Sequence, residues 1–297
     1  MSLAFRTTRI APTPSGFLHE GNAYAFVVTA ALAKISGAEL LLRIDDLDND
    51  RKRPDYISNI FDTLHWLGIT WTQGPQDALE LDAEWSQRHR LHLYETALLS
   101  LRNQGLIYAC GCSRSELARY ENPMDERHYC RKGLLPLDAE DVAWRVRIPQ
   151  QLEIHYNDLH LGWISMPESQ MLPDPVVRRR DGIPAYQVAS VCDDNYFGID
   201  LIVRGEDLRP STAVQLWLAE KLGFENFKQA TFYHHPLLLN ANGEKWSKSA
   251  GAEAIKKFDK KKEASVALYR KLASFHNLGL EVTKLSTFAQ RLAEKLG

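Results

Sequence analysis

The sequence has 297 residues, of which 44% are hydrophobic and 25% are charged, so it can bury a sizeable core and divide into two or three domains. It contains no run of about 18 apolar residues and no signal-peptide pattern at its N-terminus, which excludes a membrane-spanning protein and predicts a cytoplasmic one with no membrane partner. The formal net charge of −2 gives no overall attraction to nucleic acid, so any RNA contact must depend on local basic patches.

Strand-like and helix-like runs alternate over the first hundred residues. Strands are predicted near Arg9 and over 39–44, and helices over 23–35, 55–67 and 88–104. Such alternation is typical of an α/β protein with a mostly parallel, doubly wound sheet.

Residues 11–22 read APTPSGFLHEGN and lie between the first strand and the first helix. Two prolines and a glycine break the strand into a turn, so a phosphate would meet unpaired N–H groups at the start of the helix. Gly21 would let the backbone approach a nucleotide closely, and His19 would donate a hydrogen bond beside the anion. The segment therefore predicts a phosphate-binding turn.

Residues 244–251 read EKWSKSAG and follow a loop-forming stretch, NANG. Lys245 and Lys248 would place two ammonium groups on a mobile loop around Ser247. Such a loop suits a reaction that builds negative charge on a departing pyrophosphate, because it can close only when ATP is bound. Either segment alone is also typical of an ordinary surface loop, but the two in this order indicate ATP chemistry.

The middle of the chain departs from this alternating pattern and contains three cysteines, a polar loop and short β-like runs at 143–148 and 163–166. Strands are then predicted over 185–191 and 199–203, a helix over 212–222, and a Lys-rich helical end after Ser249. The predicted organisation is a first catalytic half, an inserted subdomain, a second catalytic half and a short helical segment, with the bounds 1–106, 107–175, 176–250 and 251–297.

Cys110, Cys112 and Cys130 fall within 21 residues of one another. In a reducing cytosol, such clustering indicates metal binding more often than a disulfide. Cys192 ends the apolar run 188–192, which is predicted to be a buried strand, and is expected to be inert core.

Six short motifs occur in sequence order between about Arg9 and Gly251. They are RIAPTPSGFLHEGN, LLRIDDLD, LHWLGITW, DGIPAYQVASVCDD, LIVRGEDL and EKWSKSAG. In this the chain resembles the catalytic half of glutamyl-tRNA synthetases, which are class I aminoacyl-tRNA synthetases. The resemblance implies a Rossmann-like catalytic domain that uses ATP, Mg²⁺ and glutamate. Full glutamyl enzymes continue into a helical anticodon-binding part, which is not present in this sequence. The short glutamyl-queuosine tRNA(Asp) synthetases lack the same part. We therefore expect a monomer that attaches glutamate to the queuosine base of tRNA(Asp).

The resemblance also implies roles for individual residues. Arg9 and Arg204, each near the end of a strand, would grip the glutamate side chain, because guanidinium groups match carboxylate geometry. The other implied glutamate-binding residues are Ala11, Thr13, Asp45 and Tyr186. The implied ATP-binding residues are His19, Gly21, Asn22, Lys245, Ser247 and Lys248, with His19, Asn22, Lys245 and Lys248 acting in catalysis.

Two positions depart from the family pattern. Asp45 stands where the family has glutamate, so the carboxylate expected to hold the substrate's ammonium group is shorter by one C–C bond of about 1.5 Å. Either the backbone shifts, a water bridges the gap, or the amino acid differs slightly from glutamate. Ser190 stands where the family has asparagine.

The cysteine cluster resembles the family's zinc site, C-x-C followed by Y-x-x-x-C, and implies one structural Zn²⁺. Glu126 occupies the tyrosine position here, and His128 is chemically the better fourth ligand because imidazole suits zinc. Tyr120 and Tyr129 are alternatives, and so is a zinc-free loop with three reduced thiols.

Two basic runs are either solvated surface or contacts to tRNA phosphates. They are Arg178, Arg179 and Arg180, and Lys256, Lys257, Lys260, Lys261 and Lys262. Two other functions stay open: a glutamyl-tRNA synthetase whose anticodon-binding part lies on another chain, and a ligase that adenylates an amino acid for a small-molecule or protein acceptor.

Overall fold

A computed structural model describes residues 4–117, 129–238, 262–279 and 281–296. The strands in this part of the chain are β1 (Thr7–Ile10), β2 (Glu39–Leu42), β3 (Ile107–Cys110), β4 (Ala143–Val146), β5 (Glu153–Asp158), β6 (Gly162–Pro167), β7 (Val176–Arg178), β8 (Leu201–Gly205) and β9 (Thr231–His235). The helices are α1 (Glu20–Ser36), α2 (Pro54–Trp66), α3 (Ala78–Glu80), α4 (Leu91–Asn103), α5 (Arg114–Leu117), α6 (Tyr186–Tyr196), α7 (Arg209–Leu222), α8 (Glu225–Lys228), α9 (Lys262–Phe275) and α10 (Leu285–Leu296).

The chain divides into two units, each assembled from separate stretches of sequence. The first comprises Met1–His89, Ile199–Asp207 and Phe232–Gly297, and the second comprises Arg90–Gly198 and Leu208–Thr231. The four-segment organisation expected from the sequence stays a prediction.

The first unit is built on a sheet in which strands follow the order β2-β1-β8-β9. β1 pairs in parallel with β2, from Thr7 opposite Glu39 to Ile10 opposite Leu42, and it also pairs in parallel with β8. Helix α1 packs against β1 and β8, and α10 packs against α1. The small and branched side chains of α1 are fully buried between them, among them Ala23, Val27 and Ala31. The parallel α/β core that the alternating sequence pattern predicts is thus confirmed.

The second unit contains an antiparallel sheet in the order β3-β4-β7, the hairpin β5–β6, and the packed helices α4, α6 and α7. The β-like runs at 143–148 and 163–166 form β4 and β6, as predicted.

The prediction of a strand over 185–191, just before Cys192, is wrong. These residues form helix α6, which begins at Tyr186 after Pro184 and Ala185. A short apolar run fits a buried helix as well as a buried strand, because periodicity cannot separate them when every face is covered. α6 packs against both α4 and α7, and Cys192 is only 3% exposed, so the expectation of a core cysteine is confirmed.

Other element boundaries shift by a few residues. The helix predicted over 212–222 begins at Arg209, where a proline at the first turn suits a helix start. The helix predicted over 88–104 begins at Leu91, because residues Gln87–Arg90 form a 3₁₀ turn. Within the described ranges, no helix combines the length and hydropathy needed to cross a bilayer.

Candidate active site and cysteine cluster

The turn before α1 ends in a capping box. His19 Nδ1 accepts a hydrogen bond from the Gly21 amide at 3.1 Å, and the His19 amide donates to Asn22 Oδ1 at 3.0 Å. The Asn22 amide donates to the His19 carbonyl at 2.9 Å. The expectation of open amides at this helix start is therefore wrong for Gly21 and Asn22. Because Nδ1 accepts, the neutral His19 ring carries its proton on Nε2 and can donate from that atom.

The segment after β2 runs beside the segment after β1. The Arg43 amide donates to the Ile10 carbonyl at 2.9 Å, and the Asp45 amide donates to the Pro12 carbonyl at 2.9 Å. This pairing brings Ala11 close to Asp45 at the carboxyl edge of the parallel sheet, where such folds bind their ligands.

Asp45 is held by a residue that the sequence reasoning missed. Arg43 Nε donates to Asp45 Oδ1 at 2.6 Å, and Arg43 Nη2 donates to Asp45 Oδ2 at 3.1 Å. The two side chains are 2% and 10% exposed. The signal was present in the sequence, because residues two apart in an extended segment point to the same side.

The next residue, Asp46, anchors the same loop. Its carboxylate accepts hydrogen bonds from Lys52 Nζ at 2.7 Å, Ser86 Oγ at 2.8 Å and the Gln87 amide at 2.9 Å. Asp46 is 5% exposed, so these bonds form inside the first unit, and they fix the backbone that carries Asp45.

Arg9 and Arg204 lie on the neighbouring strands β1 and β8 of the first unit, and each is about 95% buried. Arg9 Nη1 donates to the Val203 carbonyl at 3.3 Å, and the Arg204 guanidinium lies 5.3 Å from the centre of the Phe232 ring. The structure thus brings the two predicted arginines to one edge of one sheet. Buried guanidinium groups at a ligand-binding edge suit a carboxylate ligand.

The predicted substrate-site residue Tyr186 and the departure from the family pattern at Ser190 both belong to the second unit. Tyr186 is the first residue of α6 and is 42% exposed. Ser190, one helical turn further along, is 1% exposed, and its Oγ has no hydrogen-bond partner among the described residues. Thr13, in the first unit, is exposed.

The second ATP segment, with Lys245, Ser247 and Lys248, lies outside the described residues. The same holds for the candidate zinc ligands Glu126, His128 and Tyr120, and for most of the basic run that ends at Lys262.

The three clustered cysteines converge in the second unit. The sulfur atoms of Cys110, Cys112 and Cys130 all lie within 4.8 Å of one another, and Cys112 Sγ is 3.5 Å from Cys130 Sγ. Tetrahedral zinc with Zn–S bonds near 2.3 Å separates its sulfurs by about 3.8 Å, so three thiolates here fit such an ion. Burial and the neighbouring thiols raise the pKa of Cys112 to about 12, and a bound cation would reverse that effect.

The Arg178–Arg180 run leads into a turn at Asp181 and Gly182, and each arginine contacts its own unit. The Arg178 guanidinium lies 4.8 Å from the centre of the Trp144 ring, and Arg179 pairs with Asp181 at 2.6 Å. Arg180 pairs with Asp141 at 2.8 Å. The two ion pairs neutralise part of the positive charge that would attract a tRNA phosphate.

A family model described as class I tRNA synthetases (E and Q), catalytic domain, matches residues 6–292. The chain belongs to this family.

Curated relatives match most of the chain. It is 33% identical over 278 residues to glutamate–tRNA ligase 2 of Syntrophus aciditrophicus (strain SB), which covers 89% of this chain and 56% of that protein. It is 37% identical over 272 residues to a glutamate–tRNA ligase of Nostoc punctiforme, covering 85% and 53%. A glutamyl-Q tRNA(Asp) synthetase of Neisseria meningitidis serogroup B is 38% identical over 256 residues, covering 84% and 82%. The chain thus spans little more than half the length of the two ligases.

Solved structures share the fold. A glutamate tRNA ligase from Elizabethkingia meningosepticum, in complex with its amino acid, matches with a TM-score of 0.71 over 96% of this chain and 64% of that one. The glutamate-tRNA synthetase of Elizabethkingia anophelis matches with a TM-score of 0.73 over 97% and 65%. Both are 23% identical to the chain, so the likeness concerns the fold alone.

Proposed function

We propose that the chain is an ATP-dependent ligase that converts glutamate and ATP to glutamyl-adenylate and pyrophosphate, and then transfers the glutamyl group to tRNA. The observation that carries this proposal is the pair of buried arginines, Arg9 and Arg204, on adjacent strands that both pack against α1. That helix begins at the His19–Asn22 capping box, so groups suited to a carboxylate and to a phosphate share one unit.

In the first step, an oxygen of the glutamate α-carboxylate attacks the α-phosphorus of ATP in line with the departing pyrophosphate. A mixed anhydride bond forms, and the bond to the bridging oxygen breaks. His19 Nε2 donates to a phosphate oxygen, and the Asn22 side-chain oxygen holds His19 in place by accepting from the His19 backbone amide. Lys245 and Lys248 stabilise the charge that builds on pyrophosphate, and Mg²⁺ would neutralise phosphate oxygens.

Arg9 and Arg204 hold the side-chain carboxylate of glutamate. Asp45 receives the substrate's ammonium group. Its carboxylate is already oriented by Arg43.

For the acceptor, we propose the queuosine base of tRNA(Asp). The support is the similarity to the Neisseria protein, which matches over most of its own length. A tRNA 3′ end is the competing acceptor, favoured by the similarity to the Syntrophus and Nostoc ligases. The three thiols would hold one structural Zn²⁺, with His128 as the proposed fourth ligand.

The test has two measurements. Glutamate-dependent exchange of labelled pyrophosphate into ATP reports the first step, and Lys248→Ala should slow it by about 10²- to 10³-fold. Transfer of labelled glutamate is then compared on tRNA with and without queuosine. Label only on queuosine-containing tRNA supports the proposed acceptor, label only on tRNA lacking it contradicts it, and exchange without either transfer indicates an acceptor other than these tRNAs.

A further inference from the structure

Helix α1 begins with a buried carboxylate that the mechanism above does not use. Glu20 is the first residue of α1, directly after His19, and is 8% exposed. Its Oε2 accepts a hydrogen bond at 2.5 Å from the Nζ of Lys271, which lies 251 positions further along the chain. Lys271 belongs to α9, in the same unit, and its side chain is 35% exposed against 10% for Glu20. The carboxylate is therefore the more buried partner of this ion pair.

A negative charge at this position opposes the binding of a phosphate. The start of a helix carries a partial positive charge, which attracts an anion to the first turn, and the Glu20 carboxylate is already such an anion. Consecutive Cα atoms are about 3.8 Å apart, so Glu20 lies on the order of 10 Å from any phosphate that His19 contacts. Charges at that distance are only partly screened at physiological salt, where the Debye length is about 8 Å. Without a counter-ion, Glu20 would therefore weaken the binding of ATP.

Apolar side chains flank the ion pair. The groove beside it is lined by Glu20, Lys271, Trp66, Ala264, Ala267 and Leu268. Charges beside apolar groups interact more strongly than charges in bulk water, because the local dielectric constant is lower. Loss of Lys271 would thus leave the charge of Glu20 strongly felt at the start of α1.

We propose that Lys271 is a positioning residue for ATP binding. It draws the Glu20 carboxylate toward α9 and neutralises it, so that the positive start of α1 stays available to the triphosphate. This inference rests on the proposed function, because it assumes that the turn before α1 holds the phosphates of ATP. Lys271 acts through Glu20 and not through a contact with the nucleotide. Removing the carboxylate should therefore remove the need for the lysine.

The first experiment changes each half of the pair separately. Lys271→Met keeps most of the side-chain length but leaves Glu20 charged, so the Kd for ATP by calorimetry and the KM for ATP in pyrophosphate exchange should rise about 10-fold. Glu20→Gln removes the negative charge and keeps the positive one, so ATP should bind about 2- to 10-fold more tightly. The KM for glutamate should stay near its original value in both variants.

The direction of the Glu20→Gln effect separates this role from a purely structural one. A pair that only stabilises the fold predicts weaker ATP binding when either partner is changed. ATP affinity that Glu20→Gln leaves unchanged or lowers therefore contradicts the proposal. A parallel rise of the KM values for ATP and glutamate in Lys271→Met contradicts it as well, because the damage would then reach beyond the phosphate turn.

The second experiment tests whether the lysine acts through the carboxylate. The double variant Glu20→Gln with Lys271→Met should bind ATP within about threefold of the unaltered protein, and so should Lys271→Arg, which keeps the charge. A double variant as weak as Lys271→Met alone overturns the proposal, because Lys271 would then act independently of Glu20. Lys228→Met is the matched control, since that side chain is also 35% exposed and pairs with Glu225 at 2.9 Å, and its change should leave ATP affinity alone.

Failure of this inference and failure of the proposed function give different results. An unaltered protein that neither binds ATP nor exchanges pyrophosphate overturns both. An unaltered protein that does both, with Lys271→Met matching its affinity for ATP, overturns only the role of Lys271. If Lys271→Met does not fold, the direction of the change in Glu20→Gln decides the question.

Discussion

Arg43 and Asp45 form a two-pronged ion pair at the edge of the first unit's sheet, with donor–acceptor distances of 2.6 and 3.1 Å. The short aspartate side chain keeps its carboxylate close to the backbone, where the guanidinium of the residue two positions earlier reaches it. The pair gives a physical reason for aspartate at this position. Arg43 already fixes the orientation of the Asp45 carboxylate, so that orientation does not depend on a bound substrate.

Loss of Asp45 should strongly destabilise the protein, because the Arg43 side chain, which is only 2% exposed, would lose the carboxylate to which it donates two hydrogen bonds. We expect Asp45→Ala to lower the free energy of unfolding by about 3–5 kcal/mol, and the double change Arg43→Met with Asp45→Leu to recover most of that loss. Urea denaturation measures both. Arg51→Ala is the comparison, because the Arg51 side chain is 64% exposed and pairs with Asp48 at the surface. It should lower the free energy of unfolding by less than about 1 kcal/mol. Equal effects from Asp45→Ala and Arg51→Ala would refute the buried-pair interpretation.

Arg9→Lys and Arg204→Lys should each raise the KM for glutamate by about 10- to 100-fold, because an ammonium group cannot replace the planar fork of donors that matches a carboxylate. The KM for ATP should change little. Exchange kinetics at varied glutamate and ATP separate the two constants. Arg6→Lys is the control, since that side chain is 79% exposed and pairs with Asp200. A parallel rise in both KM values would show damage to the fold rather than to a glutamate site.

His19 caps α1, and the proposed function gives it a second, separable role toward phosphate. His19→Asn keeps a good capping side chain, so stability should hold while pyrophosphate exchange falls about 10²- to 10³-fold. His19→Ala should lose the same activity and about 1 kcal/mol of stability. Thermal unfolding and exchange rates of the two variants test this separation, and normal exchange by His19→Asn would limit the residue to capping.

Acid should destabilise the first unit through His235. Its pKa falls from an ordinary value of 6.5 to about 4, mainly because burial disfavours the charged ring and His234 opposes it, while Pro236, Asp207 and Glu206 favour protonation. Between these pH values the unfolded chain binds the proton and the folded chain does not, so stability is complete above about pH 6.5 and falls toward pH 4, by about 3 kcal/mol. Denaturant unfolding at several pH values should show a shallower acid loss in His235→Leu. Parallel curves for the two proteins would contradict this.

Purified protein should contain about one zinc ion per chain, and Cys112→Ala should remove most of it, because one of three thiolate ligands is lost. Elemental analysis gives the stoichiometry. Cys192→Ala provides the comparison, since that thiol is buried in α6 away from the cluster and its change should leave the metal content alone. Fewer than about 0.2 zinc ions per chain in the unaltered protein would show that the cluster is a set of reduced thiols.

The sequence was sufficient for features that depend on local chemistry. The alternation of apolar runs predicted the parallel sheet, and the proline-rich turn before α1 predicted where the helix begins to within a few residues. The spacing of three cysteines predicted a cluster that the fold assembles. In α6, local chemistry was ambiguous, because Val188 to Cys192 are buried on all sides and carry no periodic signal.

Long-range partners were decided only by the tertiary structure. Nothing near His235 in the sequence shows that its ring packs edge-on against the Tyr24 ring. Likewise, Asp46 finds Ser86 and Gln87 about 40 positions away. Residue types and their local order determined the family, the elements and the chemical groups available. Burial and hydrogen bonding depend on segments far apart in the chain. They decided which of those groups bond to other parts of the protein.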